Sequence, residues 1–343
     1  MHLMELFGRT VSDVERWANN VYTVETGMGS DSRRARAKSI GLTILSVTEV
    51  LEQIHPDIVF VLGDRGEVLA MTIAALELNI PIMHLFGGDV CQGGVDEPVR
   101  HAITKLASLH LTSNAQSAQR IVQMGEEPWR IHNVGSPALD LIHQKRFTPA
   151  DQISDKFKLD LDRPILIVLQ HSVTWQVEAA RDQMLETMKA IALLGHQTIV
   201  LYPCSDPGYS AIVSVIKDYA NRPNVQIYPN LDFPDFWGLM HVADALIGNS
   251  SSGLMEAPSF KLPFINVGIR QKDRLGADNV LSVGHDSSQI VSAVERALHD
   301  AEFRRTCLDC STPYGDGYAS RKIIRILKEV SLDAALIQKK MTY

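Results

Sequence analysis

Ala243-Asp244-Ala245-Leu246-Ile247-Gly248-Asn249-Ser250-Ser251-Ser252-Gly253 runs into Leu254-Met255-Glu256-Ala257. The apolar run stops at a small polar loop, and the residues behind it read as the first turn of a helix. A strand that feeds such a loop and opens a helix makes an anion site, because free N–H groups and the positive helix end face the same point. Small side chains let the backbone approach closely, and the hydroxyls of Ser250 and Ser251 add donors. Glu256, about one turn in, is unwelcome beside phosphate. It suits neutral hydroxyls, such as those of a ribose. The loop therefore suggests a nucleotide or nucleotide sugar. It reads equally as an ordinary capped helix, with Ser at the N-cap and Glu at N3 or N4.

Around this loop, strands alternate with helices in two halves. In the first half, residues 58–62, 81–85, 109–112 and 131–134 read as strands. Helices are expected at 66–78, 97–106 and 115–124. Residues 140–163 carry no strong period and read as a linker. In the second half, strands are expected at 165–169, 198–202, 225–228, 245–247, 264–267 and 280–283. Helices fill the gaps at about 176–194, 209–221, 233–242, 253–260 and 287–299. Short apolar runs bounded by Gly and Asp, spaced by amphipathic helices, argue for buried parallel sheets. A helical tail from Ala319 places Ile323, Ile324, Leu327 and Val330 on one face. The expected architecture is α/β, with two Rossmann-like doubly wound domains facing a cleft. The boundaries are 1–148 and 149–320, with 321–343 packing across both.

Composition narrows the function. The 343 residues suit two domains at ~150 residues each. Hydrophobic residues make up 45%, enough for two cores. A net charge of −7 leaves no basic footprint for nucleic acid. The basic run Arg33-Arg34-Ala35-Arg36-Ala37-Lys38 follows Ser30-Asp31-Ser32, a good cap, and reads as the solvated face of a helix. No apolar stretch approaches the ~20 residues of a membrane span, and no signal peptide is visible. Four cysteines make no disulfide framework, so a cytoplasmic protein is expected. Cys307-Leu308-Asp309-Cys310 lacks the second pair that a zinc site needs, so no metal is expected.

Polar groups recur at the expected carboxyl ends of strands. Asp64 and Arg65 follow one strand, and Asp89, Asp96, Arg100 and His101 the next. Gln170-His171 opens the second half. Ser205-Asp206, the serine loop with Glu256, and Arg270 follow later strands. Taken singly, His171 is as readily a core hydrogen-bonder as a functional group. Asp64 alone reads as a helix cap as well as a catalyst, and Arg65 as its ion-pair partner. The recurrence at strand ends, where α/β folds bind ligands, is stronger than any one residue.

At these residues the chain resembles the hydrolysing UDP-N-acetylglucosamine 2-epimerases of sialic-acid and related sugar biosynthesis. The resemblance runs from about residue 1 to 328. It rests on Met1-His2-Leu3 with Phe7-Gly8-Arg9-Thr10, on Gly63-Asp64-Arg65, and on Asp96-Glu97-Pro98-Val99-Arg100-His101-Ala102-Ile103-Thr104-Lys105. It continues through Gln170-His171-Ser172-Val173-Thr174, Ser205-Asp206-Pro207-Gly208, Gly248–Gly253 with Glu256, Asn266-Val267-Gly268-Ile269-Arg270-Gln271 and Tyr314-Gly315-Asp316-Gly317. The resemblance implies a GT-B fold and a UDP-sugar substrate. The carbon-2 proton is removed, UDP leaves to give a glycal, and water adds with inversion at carbon 2. No cofactor takes part, and a homodimer or homotetramer is implied. Asp64, Asp96 and His171 match catalytic positions, with an imidazolium steadying the departing diphosphate. Arg65 and Arg270 match nucleotide contacts, Ser250 and Ser251 phosphate contacts, and Glu256 the ribose contact. Asp89, Arg100 and Ser205 complete the expected substrate-contacting set.

The chain departs from that pattern in three places. The family carries a strand and a Gly-Thr-Arg loop ahead of the Met-His-Leu segment, so a truncated N-terminal domain is expected. Phe86, in His84-Leu85-Phe86-Gly87-Gly88-Asp89, stands where UDP-N-acetylglucosamine members have a catalytic glutamate. Members acting on diacetamido sugars also lack that glutamate, so Phe86 suits a 6-deoxy-diacetamido sugar. Cys204 stands where asparagine is usual, which puts one nucleotide-side hydrogen bond in question. A GT-B glycosyltransferase and a catalytically impaired nucleotide-sugar binder are the alternatives.

Overall fold

A computed structural model describes residues 2–27 and 30–342. Its strands form two all-parallel sheets. The first holds β1 (Val59–Leu62), β2 (Ile82–Leu85), β3 (Leu109–Thr112) and β4 (Ile131–Asn133), in that order. The second holds β5 (Ile165–Leu169), β6 (Gln197–Leu201), β7 (Val225–Tyr228), β8 (Ala245–Gly248), β9 (Phe264–Val267) and β10 (Val280–Val283), in the order β10-β9-β8-β5-β6-β7. Each strand lies within a residue of its expected bounds. Strands covered on both faces read as unbroken apolar runs, and β2, β3, β8 and β9 are buried at every position.

The six-stranded sheet is doubly wound, its order reversing between β5 and β8. The four-stranded sheet runs in simple sequence order, which differs from the expected double winding. Reversal would need a strand beyond β1, and the described residues place none there. β1 is therefore an edge, and its Phe60 and Leu62 are 47% and 54% exposed.

By mutual contact the chain divides into two units. The carboxyl-half unit combines Met1–Val21 with Leu141–Pro313, and the amino-half unit combines Tyr22–Asp140 with Tyr314–Tyr343. Aromatic contacts tie the early segment to the carboxyl-half unit. Phe7 meets Tyr209 edge-on at 5.3 Å, and Trp17 meets Phe233 at 5.9 Å. The carboxyl-half core joins Leu166 and Val168 of β5 and Ile247 of β8 to Met184, Met188 and Ile191 of one helix and Ile290 and Val294 of another. Each such side chain contributes roughly 1.5–3 kcal/mol of burial. The linker region carries two unforeseen helices, Pro137–His143 and Ala150–Phe157. Ile153 and Phe157, spaced i,i+4, were the available signal, and both are buried.

The tail helix, Ala319–Glu329, packs on the four-stranded sheet through Ile323, Ile326, Leu327 and Val330. Ile324, expected on that face, is 52% exposed. The Asp140 carboxylate accepts the N–H groups of Ala319 and Ser320 at 2.8 and 2.7 Å, anchoring the helix start. Beyond it, Arg130 donates to the carbonyls of Leu336 and Ser108 at 2.8 and 3.0 Å. Glu126, almost fully buried, receives Lys105, Lys339 and His110 at 2.5, 2.6 and 3.1 Å.

Burial pushes the Glu126 carboxyl up, but bonds from His110, Lys105 and Lys339 outweigh it and hold it at about 2. A carboxyl lowered in the fold stabilises it above its ordinary value. That contribution fades as pH falls through about 2. Glu126→Gln is expected to lower the melting temperature by several degrees at neutral pH. Its gap from the native protein should close as pH falls from about 4.5 to about 2. Thermal melts across that range would expose a pH-independent gap, which the ion cluster does not allow.

Candidate functional site

In the carboxyl-half unit the polar groups gather where the strand order reverses. Leu169 at the end of β5 pairs with Gly248 at the end of β8. Gly248 has φ +133°, and a Cβ there would lie 2.1 Å from the Leu169 carbonyl oxygen. Only glycine lets these strand ends approach so closely. A Cβ on Gly253 would strike the Phe264 ring at 2.3 Å, so the serine loop lies flat on β9.

Asn249, fully buried, organises this corner. Its Oδ1 accepts the His171 N–H at 2.7 Å, and its Nδ2 donates to the His171 carbonyl at 2.9 Å. Its own carbonyl accepts Arg270 Nη1 at 3.0 Å and Gln271 Nε2 at 2.9 Å. One asparagine thus fixes the backbone of the candidate catalytic histidine and one of the candidate nucleotide-contacting arginines. Sequence reasoning assigned Asn249 no role. Its place between Gly248 and the serines was the only signal. Asn249→Ala is expected to destabilise the protein by about 1–3 kcal/mol for each buried group left unpaired. Urea unfolding that matched the native protein would remove Asn249 from this central place.

The His171 ring is held from behind. The Cys204 N–H donates to its Nδ1 at 3.0 Å. That lone pair is occupied, so the ring proton sits on Nε2. His171 thus has Nε2–H as its ring donor in this arrangement, and the imidazolium remains what the resemblance implies. Because the Cys204 backbone makes the bond, the exchange of asparagine for cysteine leaves it intact. The Cys204 thiol donates to Asp206 at 2.9 Å. Ser205 and Asp206 are both buried beside it in the loop after β6.

The helix expected at 253–260 is only a four-residue turn, Ser252–Met255, followed by a 3-10 turn, Ala257–Phe260. So short a helix has little macrodipole. The capping-box alternative is not formed. Ser251 stands at the N-cap without a side-chain cap bond, and Glu256 closes the turn. The Ser250 hydroxyl accepts the Ser252 N–H at 3.3 Å. Burial pushes the Glu256 carboxyl up, against the opposing pull of Ser252 and Arg274.

The amino-half unit carries the carboxylates. Asp64 and Arg65 leave β1 through Gly63, whose carbonyl accepts His84 Nε2 at 2.8 Å. Thr104 meets the other ring nitrogen at 3.3 Å. Burial brings His84 down to about 4, so it stays neutral. Arg65 is the N-cap residue of the Gly66–Glu77 helix and pairs loosely with Glu67 at 3.6 Å.

Arg100, 3% exposed, donates to the Asp64 carboxylate, to Glu97 at 3.2 Å and to the Asp89 carbonyl at 3.0 Å. Asp89 Oδ1 receives Ser113 and Ser117, each at 2.6 Å, and Asn114 at 3.4 Å. Arg100 and Asp89, expected to touch substrate, thus have the partners of braces, joining the Asp64 loop to residues 86–95 and to the start of the Ala115–Gln123 helix. Asp96 begins the Asp96–Leu106 helix, where a carboxylate is favoured. It pairs with Arg36 at 3.5 Å. Arg36 was read as part of a solvated helix face and is 14% exposed. Phe86 adopts φ +68°, an uncommon conformation for a bulky residue, and lies against the apolar cluster of Met83, Leu85, Leu109 and Leu111.

Two parallel α/β units of GT-B type carry these groups. The switch-point loop beside His171 lies where open α/β sheets bind ligands, in a protein that also holds arginine-paired carboxylates. The chain belongs to the UDP-N-acetylglucosamine 2-epimerase family, which matches residues 1–328, and it is an enzyme of that type. It is 37% identical to a hydrolysing UDP-N,N'-diacetylbacillosamine 2-epimerase of Legionella pneumophila, over 100% of this chain and 90% of the relative. It is 30% identical to a hydrolysing GDP/UDP-N,N'-diacetylbacillosamine 2-epimerase of Campylobacter jejuni, over 98% and 88%. A solved UDP-GlcNAc 2-epimerase from Neisseria meningitidis, bound to UDP-GlcNAc, shares the fold with a TM-score of 0.79 at 19% identity, covering 95% and 89% of the two chains.

Proposed function

We propose that this protein hydrolyses a UDP-N-acetylated hexosamine with inversion at carbon 2, releasing UDP and the free 2-epimeric sugar. The observation that carries the proposal is the Asn249 corner. It holds the His171 backbone and Arg270, next to Ser250 and Ser251, at the switch point of the sheet. The carboxyl-half unit binds the nucleotide, and the amino-half unit supplies the proton chemistry.

A carboxylate takes the carbon-2 proton. The C–H electrons form the carbon 1–carbon 2 double bond, and the carbon 1–oxygen bond breaks with its electron pair passing to the diphosphate. His171 Nε2–H and Arg270 meet the charge that develops there. Water then adds across the glycal, its hydroxyl to carbon 1 and its proton to the opposite face of carbon 2. Asp64 and Asp96 divide the acid and base work, since Phe86 has no proton to exchange.

The favoured substrate is a UDP-linked 6-deoxy-diacetamido sugar. The Legionella and Campylobacter relatives carry that substrate class in their names, and Phe86 brings an apolar surface to the end of β2. Incubation with this sugar nucleotide or with UDP-GlcNAc, in heavy water and without an acceptor, tests the proposal. Free sugar with deuterium at carbon 2 supports it. Transfer only with an acceptor indicates a glycosyltransferase. Phe86 in place of a carboxylate also favours a second reading, an impaired nucleotide-sugar binder, for which tight UDP binding without turnover is the mark. Ser251→Ala should weaken UDP binding by about 1.5–3 kcal/mol, the worth of one bond to a charged group. Unchanged affinity in calorimetry would sink the phosphate assignment.

A further inference from the structure

We propose that Arg36 is a positioning residue for proton transfer, keeping Asp96 ionised and aimed so that Asp96 is the base that takes the carbon-2 proton. This rests on the epimerase reading above.

The two candidate carboxylates have different cations. Asp64 is hydrogen-bonded directly by Arg100, whose guanidinium is further held by Glu97 and the Asp89 carbonyl. Asp64 is locked into that brace, and a carboxylate bound so tightly is a weak base. Asp96 has Arg36 at 3.5 Å, with their side chains 11% and 14% exposed. That separation lies beyond a good hydrogen bond. It is close enough for the charge to favour the carboxylate in a poorly solvated place. At this separation Arg36 Nη2 acts on Asp96 Oδ1 through its charge.

The placement of Arg36 depends on three elements. It stands in the first turn of the Arg33–Ile54 helix, which Ser32 caps by accepting the Ala35 N–H at 3.1 Å. That helix packs along the Gly66–Glu77 helix. At Gly66, directly after Asp64-Arg65, a Cβ would meet Ile40 at 2.9 Å, and Arg36 Nε lies 3.8 Å away. The absence of a side chain at Gly66 lets Ile40 of the Arg33–Ile54 helix pack closely there, one turn beyond Arg36.

Other charged groups belong to the elements around Asp96. His84 on β2 is neutral. Asp64, Arg65 and Glu67 lie after β1, and Asp89 lies in the loop after β2. Glu97, Arg100 and His101 share the helix of Asp96, with Glu97 held by Arg100 and His101. Arg120 donates to the Gly88 carbonyl. Arg36 is a cation paired with Asp96.

The test compares native protein with Arg36→Met, Arg36→Gln and Arg36→Lys. It reads kcat/KM against pH, deuterium at carbon 2 of the released sugar, and UDP affinity. Removing the charge should move the acid limb of the profile up by about one pH unit or more. Activity near pH 6 then falls about tenfold or more and largely returns in alkali. Arg36→Lys should keep the native limb, and UDP affinity should hold in all three variants. Should Arg36→Met melt early, Arg36→Gln, which keeps polar bulk without charge, carries the comparison. A limb that stays in place, or a loss that is uniform across pH, overturns the proposal and leaves Arg36 a structural tie. Native protein that releases no free sugar and incorporates no deuterium overturns the epimerase reading instead, and the role of Arg36 falls with it.

Discussion

His171→Ala is expected to lower turnover by roughly 10²–10³-fold while changing UDP affinity far less. The ring is pre-set for one task. Cys204 occupies Nδ1, Asn249 holds the backbone on both sides of the residue, and Nε2 carries the proton. A donor fixed in this way gains most where charge grows, and in the proposed reaction charge grows on the departing diphosphate as the glycal forms. The bond is therefore stronger in the transition state than in the ground state, which is the condition for a loss in kcat. Turnover and UDP calorimetry on the same variant give both quantities. Equal losses in the two would mean that His171 binds nucleotide and does nothing further as it leaves.

Asp96→Asn is expected to cost about 10²-fold or more in turnover, the range for a lost acid–base group, and to abolish deuterium uptake at carbon 2. Its folding cost should be smaller than that of Asp64→Asn, because the Arg36 pair at 3.5 Å is longer than a good hydrogen bond. Asp64→Asn should also depress turnover, but with a loss of stability, since it withdraws the charged partner of the buried Arg100. Urea unfolding beside turnover separates the two variants. Normal turnover in Asp96→Asn would end the assignment of the proton chemistry to this pair. Equal stability losses in both would mean that Asp96, too, is a brace.

The strands were legible because a strand covered on both faces needs apolar residues without interruption, as in Ile165–Leu169 and Phe264–Val267. The serine loop was legible because Gly248 and Gly253 meet backbone or ring atoms that no side chain would clear. Local chemistry also marked Asp64, Asp96, His171 and Arg270 as strand-end or helix-start polar groups. It did not mark Arg36. In a run of arginines, periodicity reports only a polar helix face, and whether that face meets water depends on another element lying across it. Ile324 and Ile326 show the same limit, because a tail with apolar residues on more than one side does not declare which side is covered.

Sequence alone therefore determined the α/β class and the strand positions, which follow from burial periodicity and local backbone needs, and the family, which follows from the ordered match of its motifs. Tertiary structure alone decided which partners each candidate has. It set Arg100 and Asp89 into the hydrogen-bonded frame of the amino-half unit, paired Arg36 with Asp96, and made Asn249 the fixture for His171 and Arg270. It also set the proton of His171 on Nε2, through a backbone N–H contributed 33 residues away. Such pairings are determined by distances between elements remote in the chain, and no local pattern of side chains encodes those distances.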